Sequence, residues 1–143
     1  MAIGNAAAAR IEPYQSVIFD SSSTVREAAR ALLERDVPIT AITNDILIAQ
    51  MLANSSAITV LTIGGRVRTG SMTLFGPPGE EFLAGVKADQ ALIGAHAVTV
   101  DEPSEVAIEI TRIKQLMADA IREKTSTMFQ RRFSIAPMME RVD

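Results

Sequence analysis

The chain contains no cysteine and a single histidine, His96. The first absence excludes a disulfide framework and any thiolate metal site, and it fits a reducing compartment. The second excludes a metal centre built from several imidazoles. No run of about 18 consecutive apolar residues occurs, so nothing reads as a membrane span. The opening MAIGNAAAAR lacks a basic leader and a long apolar core, so it does not read as a secretory signal. Positive charge is also scarce: 14 Lys and Arg stand against 17 Asp and Glu, for a net charge of −3. Neutralising a nucleic-acid backbone needs clustered basic side chains, so this chain by itself is a poor nucleic-acid binder. The expectation is a soluble, cytoplasmic protein with no membrane partner.

What is present is the material of one ordinary domain. There are 143 residues, 48% of them hydrophobic and 22% charged. A chain of that length buries about two-thirds of its unfolded surface, enough for a core without staples. No internal repeat, low-complexity tract or second domain is visible, so residues 1–143 read as a single unit.

Short apolar runs alternate with amphipathic stretches. Ala6 to Arg10 reads as the tail of a helix, closed by Pro13. Ser16 to Phe19 reads as a strand. From Thr24 to Arg35, the residues Val25, Ala28, Ala29, Leu32 and Leu33 fall on one helical stripe. Ile39 to Thr43 is a second strand, and Asn44 or Asp45 caps a helix whose Ile46, Ala49 and Ala53 share a face. Ala57 to Ile63 is a third strand, broken by Gly64-Gly65. Arg66 to Glu80 reads as loop from its glycines and prolines. Glu81 to Val86 reads as a short helix and Gln90 to Ile93 as a fourth strand. Ser104 to Lys124 is the longest helix, with Ile113, Leu116, Met117, Ala120 and Ile121 on its stripe. Ser134 to Ala136 reads as a last short strand. This order predicts an α/β fold: an open, mostly parallel sheet with helices on both faces.

Ligands of such sheets bind beyond the carboxyl ends of the strands. That rule brings together Asp20 to Thr24, Asn44-Asp45, Gly64-Gly65-Arg66 and Gly94-Ala95-His96. The first segment has four consecutive hydroxyl side chains, Ser21, Ser22, Ser23 and Thr24, between an acid and a helix. One of them caps the helix, a contribution of roughly 1 kcal/mol. The surplus points to an anion or sugar site, since a helix N-terminus offers backbone N–H groups and a positive dipole end. Asp20 can accept bonds from sugar hydroxyls. Gly64-Gly65 with Arg66 and Arg68 is either a turn with solvated arginines or a close backbone approach with an anion-binding fork. Asn44 is more simply a helix cap, and His96 more simply structural. Glu105, Glu109 and Arg112, near Lys114, read as a solvated helix face. The methionines Met117, Met128, Met138 and Met139 read as packing rather than as a cofactor box. No nucleophile elbow, phosphate-binding P-loop or dinucleotide fingerprint is present. Acid–base chemistry by Asp20, Asp89 or Glu105 stays open on residue type alone.

Several segments together resemble the C-terminal effector-sensing domain of DeoR-type bacterial regulators of sugar metabolism. IEPYQSVIFDSSST resembles that family's strand and Asp-Ser-small-Thr-Thr loop, and ITAITND its strand ending in Thr-Asn. VLTIGGRVR resembles its Leu-x-Gly-Gly-x-x-Arg turn, and TLFGPPGEEFL the Gly-Pro segment after it. KADQALIGAHAVT resembles its Ala-Asp strand, and SEVAIEITRIKQLM its Ser-Glu helix carrying Lys and Met. The likeness runs in order over residues 5–124. It implies a Rossmann-like fold shared with ribose-5-phosphate isomerase and glucosamine-6-phosphate deaminase. It implies a non-enzymatic domain of a regulator, usually a repressor, that binds a phosphorylated sugar and needs no cofactor or metal. It nominates Asp20, Ser21, Ser22, Ser23 and Thr24 as effector contacts, with Asn44, Gly64, Gly65, Arg68 and Lys114 as binding or site-shaping positions.

The chain departs from the family pattern twice. No helix-turn-helix precedes the sensor segment, so DNA contact is expected only through a domain this sequence does not contain. After the long helix, the family's Asp-Ser-Ser-Lys loop is replaced by a segment in which Thr125, Ser126, Thr127 and Met128 align best. The usual acid and lysine are lost there, which leaves the Asp20–Thr24 loop as the main expected anion holder. A sheet left short of a strand exposes an edge that a homo-oligomer would cover. The alternative reading is a sugar-phosphate isomerase or deaminase on the same fold. A third is a degenerate fragment that serves only in assembly.

Overall fold

The computed structural model describes residues 2–94 and 104–121. His96, Thr125, Ser126, Thr127 and Met128, the end of the long helix beyond residue 121, and the strand expected at 134–136 lie outside them.

The chain begins with α1, Ala2–Ala9, then β1, Ser16–Phe19, and α2, Ser23–Arg35. Helix α1 spans the alanine run, whose later part read as a helix tail. Gly4 lets it lie close on α2: a Cβ there would sit 2.8 Å from Glu27 Cβ. Arg35 donates to the carbonyls of Ala8 and Ile11, which tidies the open end of α1. Helix α2 buries the stripe Val25, Ala28, Ala29 and Leu32. It stops where Asp36 turns left-handed, with φ 53°.

Next come β2, Ile39–Thr43, and α3, Ile46–Leu52. Asp45, not Asn44, is the α3 cap: its Oδ1 accepts from Leu47 N and Ile48 N at 2.8 and 3.2 Å. Strand β3 is Ile58–Thr62. The stretch expected as loop contains an antiparallel hairpin of two short strands, β4 (Arg66–Val67) and β5 (Leu74–Phe75). Helix α4 covers Gly79–Ala84, beginning slightly before the expected Glu81. Strand β6 is Gln90–Leu92, and α5 is Ser104–Asp119.

The main sheet has the order β3-β2-β1-β6, and every pairing in it is parallel. Period-2 alternation sorts its side chains into two cores. Val17, Phe19, Ala41 and Leu92 face one side, with α1, α2 and α3 residues such as Ala8, Leu32 and Ile48. Ile18, Ile42 and Ala91 face the other, with Leu83 of α4, Phe75 of the hairpin, and Ile113 and Met117 of α5. The result is the expected α/β architecture in three layers. From β1 the chain steps outward to β2 and β3, then returns to place β6 on the other side of β1. That reversal opens a crevice at the carboxyl ends of β1 and β6, where open α/β sheets bind ligands.

Candidate functional site

The residue after β1 is Asp20, and it is 2% exposed. Its Oδ1 accepts from Ser22 N at 2.9 Å, which bends the chain into α2. Its Oδ2 accepts from Gly94 N, just beyond β6, at 2.9 Å. The same oxygen takes the Lys114 ammonium, and Lys114 also donates to Gly94 O at 2.9 Å. One buried carboxylate therefore joins the loop after β1, the segment after β6 and the middle of α5.

Ser22 is the N-cap of α2, and its Oγ accepts from Val25 N at 3.3 Å. Gly94 lies directly against it: an added Cβ would be 1.9 Å from Ser22 Oγ. The loop and β6 meet more closely than any side chain at position 94 would allow.

At the end of β2, Thr43 donates to Phe19 O at 2.8 Å and accepts from Asp45 N at 3.0 Å. This sequence of bonds ties the ends of β1 and β2 together. The hairpin is stitched to the same place. Leu74 N donates to Asn44 O, Ile46 N donates to Met72 O, and Asn44 Nδ2 donates to Leu74 O. The Leu74 carbonyl fixes the orientation of the Asn44 amide. Its Oδ1 is buried and has no partner among the described residues.

These elements enclose a cavity of about 160 Å³. The β1–α2 loop contributes Asp20, Ser21 and Ser22, and α2 contributes Arg26. Asn44 closes one side, the hairpin brings Arg68, Ser71, Thr73 and Phe75, and α5 brings Ile110, Ile113 and Lys114. Arginine and lysine from α2, the hairpin and α5 thus converge on a wall whose single carboxylate among the described residues, Asp20, is already engaged. Serine and threonine hydroxyls and one helix N-terminus complete the polar lining. The chemistry suits a small anionic, hydroxylated ligand. No group of His, Cys, Asp and Glu among the described residues could hold a metal ion.

The site nominations separate in space. Asp20, Ser21, Ser22, Asn44, Arg68 and Lys114 line the cavity, whereas Ser23, Thr24, Gly64 and Gly65 do not. Gly64 and Gly65 instead form a tight backbone crossing. A Cβ at Gly65 would be 2.5 Å from Phe75 O, and one at Gly79 would be 2.1 Å from Gly64 O. They let the backbone at 64–65 pass close to Phe75 and Gly79. On the expected solvated face of α5, Glu105 and Arg112 are exposed, and two of its charges form surface ion pairs. Glu109 pairs with Arg66 of the hairpin at 2.5 Å, and Arg112 pairs with Glu80 of α4 at 3.2 Å. Asp89 sits at the opposite end of the sheet, accepting from Ser16 N at 2.8 Å, and Glu105 is exposed. Neither lines the cavity with Asp20.

Sequence reasoning missed Arg26, and a signal was there. With Ser22 as cap, position 26 lies about one helical turn on and returns to the same side. Ser71, Thr73 and Phe75 carried no comparable signal, because their placement depends on long-range bonds to residues 44–46.

Comparison with known proteins bears on this geometry. The sequence model of the family described as DeoR C terminal sensor domain matches residues 1–134. The HTH-type transcriptional repressor GlcR of Bacillus subtilis (strain 168) is 32% identical over 136 residues, covering 89% of this chain and 52% of that protein. An uncharacterized HTH-type transcriptional regulator of Escherichia coli (strain K12), YgbI, is 29% identical over 123 residues, covering 86% of this chain and 48% of its own length. The chain spans about half the length of the curated relatives it matches. Among solved structures, ribose 5-phosphate isomerase A from Methanocaldococcus jannaschii superposes with a TM-score of 0.50 at 16% identity. That match covers 85% of this chain and 47% of the isomerase, and it speaks to the Rossmann-like fold.

Proposed function

The chain belongs to the DeoR C-terminal sensor domain family, and on that premise we propose that its cavity binds a phosphorylated sugar whose occupancy sets the state of a transcriptional regulator. The observation that carries this reading is the junction at the N-terminus of α2. There Ser21 and Ser22 meet Lys114 at a buried carboxylate, with Arg26 and Arg68 on the same cavity wall. A phosphate suits the cations and the helix N-terminus. The unpartnered Asn44 Oδ1 is an acceptor that a sugar hydroxyl can serve. In the whole regulator, a helix-turn-helix domain would read the operator. The effector would act by preferring one of two conformations with different DNA affinity.

Sensing rather than catalysis is favoured by the state of Asp20. Both of its oxygens already accept hydrogen bonds, one of them from an ammonium. A carboxylate so engaged is a structural hub and a poor general base. No other carboxylate lines the cavity among the described residues.

The test is thermal denaturation against a panel of sugar phosphates and their unphosphorylated counterparts. A true effector at about a hundred times its Kd adds roughly 2.7 kcal/mol of stability, and its unphosphorylated form adds almost none. Ser22→Asp places a negative charge at the α2 N-terminus and removes the phosphosugar response. A folded chain indifferent to every phosphosugar would refute the proposal.

A further inference from the structure

Arg26 is attached to the site in an unusual way. Asp45 is 0% exposed and already spends Oδ1 on the cap of α3. Its Oδ2 accepts from Arg26 Nε at 3.0 Å and forms an ion pair with Nη2, also at 3.0 Å. A guanidinium has two usable edges. Here the Nε/Nη2 edge is committed to a buried carboxylate. Nη1 makes no hydrogen bond to any described residue. The side chain remains 31% exposed, and it lines the cavity. A buried acid therefore holds one edge of the fork of a side chain that lines the ligand space.

Accepting the phosphosugar reading of the cavity, we infer that Arg26 is its specificity-determining phosphate contact and that Asp45 is the positioning residue that aims it. Lys114 has a different task. Its ammonium is engaged by Asp20 and by Gly94 O, so it supplies positive field more than geometry. The planar end of Arg26 matches two phosphate oxygens at once, which a lysine cannot do. The site then distinguishes a phosphoryl group from a hydroxyl at the same position chiefly through Arg26. Because Asp45 is also the α3 cap, the contact that recognises phosphate is fixed to the start of the next helix.

The experiment is calorimetric titration of the whole chain with two probes, inorganic phosphate and the phosphosugar identified by the panel, beside its unphosphorylated sugar. Arg26→Gln lowers phosphosugar affinity on the order of 10- to 100-fold, the range of a hydrogen bond to a charged group. It leaves affinity for the unphosphorylated sugar unchanged and abolishes phosphate binding. Arg26→Lys restores charge without the fork and recovers only part of the affinity. Asp45→Asn keeps a capping oxygen for α3 but removes the acceptor that holds Arg26, so the phosphosugar-to-sugar affinity ratio falls while folding is retained. If Arg26→Gln does not fold, because Asp45 is left buried without its cation, Arg26→Gln with Asp45→Asn removes both charges and gives the same reading. A folded Arg26→Gln chain that binds phosphosugar as tightly as the parent overturns the assignment and spares the sensor reading. A parent chain that binds phosphate through Arg26 but no phosphosugar does the reverse. Binding of neither probe overturns both.

Discussion

Gly94 and Ser22 face each other where β6 and β1 part, and the fit between them is tight enough to be read by mutation. A Cβ at Gly94 would meet Ser22 Oγ at 1.9 Å and Ser22 Cβ at 2.5 Å, while the next neighbour, Val25 Cγ2, is 3.7 Å away. The conflict is thus with one short side chain and not with backbone. Gly94→Ala should cost about 1–3 kcal/mol, the usual range for overpacking, and should weaken ligand binding by pushing the α2 cap aside. Ser22→Gly alone should cost only a few tenths of a kcal/mol, because glycine is a tolerable N-cap. The double substitution should then be nearly as stable as Ser22→Gly, a strong departure from additivity. Urea denaturation of the four chains measures this cycle, and additive losses would place the contact elsewhere. The loop's hydroxyl run and its meeting with Gly94 at the sheet edge were legible in the sequence, but the tightness of this contact was not. Asp20 and Lys114 are 94 residues apart, and no local pattern announces such a meeting.

The two ends of α2 divide function from stability. Its N-terminus faces the cavity, and its C-terminus ends at Asp36 with φ 53° and ψ 48°, where Asp36 N donates to Leu33 O. That conformation carries a steric cost for any residue with a Cβ and none for glycine. Asp36→Gly should raise stability by about 0.5–1 kcal/mol, with ligand affinity unchanged. Thermal denaturation and titration of the same variant check both halves, and a loss of affinity would mean that strain at this cap is transmitted along the helix. Helix α2 was readable because its stripe and its cap agree. The β4–β5 hairpin was not, for an equally physical reason. Its strands are two residues each, too short for any alternation to register. It is held by bonds to Asn44 and Ile46 and by the Arg66–Glu109 pair. The glycines and prolines around it report turns accurately but say nothing of what the turns bring together.

The cavity draws its walls from both helical layers: α2 lies on one face of the sheet, and α5 with the hairpin lies on the other. The layered order followed from strand and helix periodicity, since the runs of β1, β2 and β6 are mostly buried, while edge strand β3 is largely exposed. Its consequence for binding did not, because the three cations come from segments that sequence spacing leaves unconnected. A ligand held by Arg26, Arg68 and Lys114 must bridge elements that otherwise touch mainly through the sheet. Occupancy should therefore suppress local opening on both faces at once. In hydrogen exchange, amides of residues 66–75 and the middle of α5 should slow on adding effector, together with the first turn of α2. Helix α1 packs against α2 and makes no part of the cavity wall, so exchange of its amides should be unaffected. A two-layer response is what a sensor needs, since a signal confined to one layer leaves the other free to keep its state. Slowing restricted to α2, with 66–75 and α5 unchanged, would mean that the ligand does not span the cavity and that the cations of the hairpin and α5 serve the fold alone.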